Sequence, residues 1–168
     1  MKSYTYLKTQ TLGDLLLVAN DTHLLGIYFA NHKNGPALSE DWELNPKHPV
    51  LKQAGKELQE YLEGKRTRFS VPFSFEGTDF QREIWRQIAA IPFGETISYT
   101  ELARRAGKPD ALRAAGTATG RNPISIIVPC HRVIGKGGGM GGYAGGLDRK
   151  KALLKAESSG TKFTLTQN

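Results

Sequence analysis

Among the 168 residues there is a single cysteine, Cys130. No internal disulfide can form, and a Cys-rich zinc site has no ligand set, so the fold must rest on buried apolar surface. The length suits one ordinary domain or two small ones sharing an interface. Hydrophobic residues make up 39% and charged residues 23%, the balance of a folded chain rather than a disordered one. The longest aliphatic run, Leu15 to Ala19, falls far short of the roughly 20 residues that span a bilayer. The start MKSYTYLKTQ lacks an apolar signal core. The expectation is a cytoplasmic, or otherwise intracellular, protein with no membrane contact. Its lone thiol is either inert packing or chemistry.

Charge is unevenly placed. From Met1 to Gly94 there are 11 Lys and Arg against 11 Asp and Glu, whereas from Glu95 to Asn168 there are 12 against 5, so the whole net charge of +7 lies in the second half. A neutral front and a basic back suggest two units, the second facing a polyanion such as nucleic acid.

The hydrophobic pattern divides at the same region. Ser3 to Gln10, Leu15 to Ala19 and Leu24 to Phe29 are short β-prone runs separated by turn residues, which predicts an antiparallel meander. Leu51, Ala54, Leu58, Tyr61 and Leu62 then recur at helical spacing after Pro49, with a stop at Gly64. Phe69, Val71, Phe73 and Phe75 alternate with other residues, predicting a last strand or an extended linker. These elements make an α/β front domain over 1–76, in which no chemistry is visible.

Thr78 and Gln81 have capping-box spacing ahead of the apolar stripe Phe80, Ile84, Trp85, Ile88. Two short helices follow, one around Ser98 to Gly107 and one from Ala111 to about Thr119, an arrangement resembling helix-turn-helix. The second helix, ALRAAGTATG, carries too few long polar side chains to read the major groove. Its small residues suit close approach to a minor groove, leaving Arg113 free to reach between bases. The alternative is that the Ala and Gly residues pack against a neighbouring helix.

Cys130 stands at the end of the β-branched run ISIIV, directly after Pro129 and before His131 and Arg132. A free thiol has a pKa of about 8.5, so nucleophilic use requires a base, and His131 is the nearest. NPISIIVPCHRVI, followed by GKGGGMGGYAGGLDRKKALLKAE, closely resembles the active-site signature of the O6-alkylguanine-DNA alkyltransferases, also called methylated-DNA-protein-cysteine methyltransferases. The resemblance runs from Thr78 to about Ser158. It implies an α+β fold: a small ribonuclease-H-like N-terminal domain with an antiparallel sheet, then a mostly helical, winged-helix-like domain over 77–160 and a polar tail over 161–168.

The same resemblance implies roles. Cys130 is the alkyl acceptor, His131 the base acting through a water, Glu157 the acid orienting that histidine, and Asn122 the residue holding the turn. Tyr99 protonates, or hydrogen-bonds, the flipped guanine. Arg113 fills the gap in the duplex, and Ala114, Thr119 and Arg121 complete the DNA-facing set with Tyr99. The Val133 carbonyl, like that of Cys130, accepts from the guanine amine, and Tyr143 and Ala144 line the pocket. Some members carry a serine where this chain has Ala144, and some bind zinc through N-terminal cysteines that are missing here. No metal and no cofactor are therefore expected. The implied activity is irreversible transfer of the alkyl group from O6-alkylguanine, and from O4-alkylthymine, in double-stranded DNA approached through the minor groove. A monomer would act once per molecule. Two rivals are a non-catalytic DNA-binding protein with Cys130 idle and a cysteine hydrolase, which would turn over repeatedly.

Overall fold

The computed structural model describes residues 1–30, 35–135, 143 and 145–159. Strands β1 (Ser3–Thr9), β2 (Gly13–Ala19) and β3 (Leu24–Phe29) form the expected antiparallel meander. Leu15, Leu17 and Ala19 face its core, as alternation along a strand requires. A two-residue strand β4 (Glu43–Leu44) pairs parallel to β1, giving the order β3-β2-β1-β4.

β3 lies at the sheet edge yet is buried at every residue but Tyr28, because two later segments close that edge. Leu24 N–H donates to the Pro72 carbonyl at 2.8 Å, and Ser74 N–H donates back to Leu24 at 3.0 Å. Farther along, Ile27 N–H donates to the Pro123 carbonyl at 2.8 Å, and Ser125 N–H returns to Ile27 at 3.3 Å. The second pair ties the sheet to the segment that leads into Cys130. Phe69 to Phe75 is thus an extended linker with one bridge, Leu24 to Phe73, rather than a full strand. Pro72 has no N–H to extend a ladder.

Helix α1 (Pro49–Leu62) buries Leu51, Ala54, Leu58, Tyr61 and Leu62 along one stripe and ends before Gly64, whose φ of 76° suits glycine. Glu57 is buried on the same stripe. Its carboxylate accepts from Gln53, from Ser70 N–H and hydroxyl, and from Val71 N–H, at 2.8 to 3.1 Å, which clamps the linker to the helix. Burial raises the Glu57 pKa, but these donors outweigh it and hold the group below its ordinary value.

Helix α2 (Asp79–Ala89) starts with the complete Thr78 and Gln81 capping box. Helices α3 (Tyr99–Arg105) and α4 (Leu112–Gly120) form the helical pair, and the Trp85 indole fixes α4 by donating to the Ala118 carbonyl at 2.8 Å. Strands β5 (Ile97–Ser98) and β6 (Val133–Ile134) pair in parallel on either side of it, and Cys130–Arg132 forms a 3₁₀ turn just ahead of β6. Helix α5 (Leu147–Ser159) closes the domain. Among the described residues no helix is long and apolar enough to cross a membrane.

Replacing Glu57 by Ala strands the buried N–H of Val71 and releases the part-buried N–H and hydroxyl of Ser70, so Glu57→Ala should lose about 2–4 kcal/mol in urea unfolding. A loss under about 0.5 kcal/mol would contradict the clamp.

Candidate active site

Asn122 shapes the loop that presents the thiol. Its side-chain carbonyl accepts from Ile124 N–H at 3.0 Å and its amide donates to the Val128 carbonyl at 2.7 Å. Between these anchors Ile126 has a φ of 73°, the only non-glycine residue in that region among the described residues. A β-branched residue is strained there. Ile124, Ile126 and Val128 are wholly buried, and β3 holds Ser125, so the surroundings enforce the bend. The chain emerges from it into the 3₁₀ turn with Cys130, His131 and Arg132 all buried.

One carboxylate organises this turn. Glu157 on α5 accepts from His131 Nε2 at 2.8 Å, from Arg132 Nε and Nη2 at 2.8 and 2.9 Å, and from the Tyr61 hydroxyl at 2.5 Å. Burial raises its pKa, but the bonds from His131, Arg132 and Tyr61 outweigh that and bring it down to about 2. At neutral pH it is an ionised, acceptor-only group. His131 must then carry its proton on Nε2, which leaves Nδ1 as the basic nitrogen. Burial also lowers the His131 pKa, favouring the neutral ring that a base requires.

Burial pushes the Cys130 thiol up, against the opposing pull of Asn122 and of the Lys150 ammonium, so at rest the sulfur holds its proton. Lys150 is itself fully buried on α5, with Nζ donating to the Val133 carbonyl at 2.8 Å. Cys130's own carbonyl accepts from Val133 N–H, and each of these oxygens keeps a second lone pair for an amine. Tyr143 lies close enough to Cys130 for each to affect the other's ionisation. Among the described residues, two buried side-chain polar atoms stand out: His131 Nδ1 has no hydrogen-bond partner, and Tyr143 Oη has none but the Cys130 sulfur. Both belong to this centre. Burial, and then the Cys130 charge, raise the Tyr99 pKa and keep it a phenol able to donate.

The pocket wall is set by close packing. A Cβ on Gly145 would lie 2.6 Å from the Phe29 ring and 2.8 Å from Tyr143, so only glycine lets these rings meet edge to face at 6.0 Å. Ala144 lies outside the described residues, as does the polar tail.

Arg113, Ala114 and Arg121 are exposed along the α4 side. Thr119 corrects the expected DNA-facing set: it is 5% exposed and its hydroxyl donates to the Ala115 carbonyl at 2.8 Å. Ala115, Ala118 and Thr119 share the inward stripe at helical spacing, which leaves Thr117 as the exposed threonine.

Three contributors to the centre have no assigned role in the sequence reading. Arg132 gives Glu157 its bidentate partner, Tyr61 reaches it from the front domain, and the Lys150 ammonium acts electrostatically on the Cys130 thiol. One signal was available for Lys150, because Lys150, Leu153 and Glu157 fall at i, i+3 and i+7 on the buried stripe of α5. The basic excess is accordingly not all surface.

These ionisations make stability pH-dependent. The Glu157 pKa falls on folding, so its contribution is present above about pH 4.3 and is lost as pH falls toward 2. The His131 pKa also falls on folding, so below about pH 6.5 the unfolded chain takes a proton the native state refuses. Both act in one direction. The urea midpoint should decline steadily from about pH 7 to about pH 4, and a flat midpoint would contradict these assignments.

Comparison with known proteins agrees with this geometry. Residues 2–75 match the family model for the ribonuclease-like domain of 6-O-methylguanine DNA methyltransferase, and residues 79–159 match that for its DNA binding domain. A methylated-DNA--protein-cysteine methyltransferase of Methanosarcina barkeri is 44% identical over 148 residues, covering 88% of this chain and 92% of the relative. One from Mycolicibacterium paratuberculosis is 41% identical over 155 residues, covering 92% of each. The crystal structure of Mycobacterium tuberculosis OGT in complex with DNA superposes with a TM-score of 0.88 at 38% identity, covering 98% of this chain and 99% of that one. With both halves matched in order across nearly the whole length, the chain belongs to the 6-O-methylguanine DNA methyltransferase family.

Proposed function

We propose that this protein repairs DNA by direct reversal, moving the alkyl group of O6-alkylguanine, and of O4-alkylthymine, onto Cys130. The observation that carries the reading is the buried Cys130, His131, Glu157 array, in which an ionised carboxylate fixes the histidine proton on Nε2 and leaves Nδ1 as the base. His131 takes the thiol proton through a water. The sulfur attacks the alkyl carbon in line, the S–C bond forms and the C–O6 bond breaks. Tyr99 donates to the departing guanine and regains a proton from the imidazolium, so the net products are a thioether and unmodified guanine. A thioether offers no good leaving group, and each molecule therefore acts once.

The target atom faces into the duplex, so the nucleotide must leave the stack at a cost of a few kcal/mol. The exposed α4, with small side chains around Arg113, suits approach through the minor groove, and Arg113 fills the vacated space. Arg104, Arg105, Lys108 and Arg121 are also exposed on or beside the helical pair and suit phosphate contacts. On this reading 1–76 is the front domain and 77–160 the alkyl-transfer domain. The protein works as a monomer inside the cell, where the DNA is.

Intact mass after mixing with a duplex containing O6-methylguanine tests the proposal. One methyl group should be gained on the peptide containing Cys130, saturating at about one per protein, and Cys130→Ser should gain none. Repeated turnover would favour a hydrolase, and an unchanged mass would favour a non-catalytic DNA-binding protein.

A further inference from the structure

We propose that Tyr61 is a positioning residue for alkyl transfer: its hydroxyl, reaching from α1, holds the Glu157 oxygen that His131 also uses and thereby sets how strongly that histidine takes the Cys130 proton. This rests on the reading of His131 as the base. It makes the front domain part of the reactive centre rather than only a support for it.

The two carboxylate oxygens are loaded unequally. Among the described residues Oε1 accepts from Arg132 Nε alone, at 2.8 Å, whereas Oε2 accepts from Tyr61 at 2.5 Å, His131 at 2.8 Å and Arg132 Nη2 at 2.9 Å. An oxygen with two in-plane lone pairs cannot serve three donors equally well. Tyr61 and His131 therefore compete for one oxygen, and what the phenol draws is withheld from the imidazole. Its position is fixed: Tyr61 is 5% exposed, with its ring 5.5 Å from Phe69 and 6.3 Å from Phe93. Phe93 also lies under the Arg132 guanidinium, at 5.7 Å. The same ring cage therefore holds two of the three donors to Oε2.

The groups acting on His131 and Glu157 are Tyr61 from α1, Arg132 from the turn and Lys150 from α5. Glu95 and Lys155 line a cleft together with Glu157. Of these, Tyr61 is the one whose contribution to Oε2 can be removed without changing formal charge. Tyr61→Phe keeps the ring and deletes the donor. Oε2 then becomes a stronger acceptor, the imidazolium of His131 is better stabilised, and the histidine is lost as a base at a higher pH. A tyrosine that merely fills space predicts a change in stability with no such movement.

The test is the rate of alkyl transfer from free O6-benzylguanine to the full chain, measured against pH for the unmodified protein, Tyr61→Phe, Phe69→Leu and His131→Gln. The acid limb of the profile should move up by about 0.5–1 pH unit in Tyr61→Phe and stay in place in Phe69→Leu, which loosens the ring cage without touching the hydroxyl. An unmoved limb in Tyr61→Phe, or an equal movement in Phe69→Leu, overturns the inference. His131→Gln separates the two levels. If its profile keeps the original limb, His131 is not the base and both readings fall; if the limb vanishes there yet does not move in Tyr61→Phe, only the role of Tyr61 falls.

Discussion

Taking a carboxylate out of water costs several kcal/mol unless its lone pairs are filled, and Glu157 is filled from three directions. α5 supplies the acid, the 3₁₀ turn supplies His131 and Arg132, and α1 supplies Tyr61. None of the three elements can shift without stranding a buried charge or a buried donor. The loop ahead of the turn is held just as firmly, through Asn122 and the two hydrogen bonds between Ile27 and residues 123 and 125. That support offsets the strain at Ile126 and places the thiol beside the phenol of Tyr143.

The positive charge divides into two populations with different work. Arg113 and Arg121 are exposed and suit a polyanion. Arg132 and Lys150 are buried, and their charges act over short distances on Glu157 and on Cys130. Trp85 joins the two regions mechanically, because its bond to Ala118 seats α4 on α2. The exposed face of α4 is thus set by the same core that holds the turn bearing Cys130.

Much of this was legible in the sequence because it is encoded locally. The stripes of α1 and α2, the capping box at Thr78 and the turn residues of the meander each follow from neighbouring side chains, and the family resemblance named Cys130, His131, Asn122 and Glu157, which the fold gathers around one buried turn. What was not legible depends on distant partners. β4, β5 and β6 are two residues long and exist only through pairing with remote segments. Glu57 is buried by partners 13 and 14 residues away, and Tyr61 reads as one more apolar position until its hydroxyl meets an acid 96 residues away. Thr119 shows the limit of helical phase: the helix was placed within one residue, yet its polar side chain faces inward.

The central claim is that an ionised Glu157 holds a neutral His131 in one tautomer, with the proton on Nε2 and the lone pair on Nδ1. Nitrogen-15 NMR of the His131 ring in the unalkylated full chain reads this directly. The account predicts a neutral ring at about pH 7, protonated at Nε2 and coupled to Glu157, with protonation of Nδ1 deferred to below about pH 6.5. A ring protonated at Nδ1 at neutral pH, as the other tautomer or as imidazolium, would leave the thiol without a base and contradict the account.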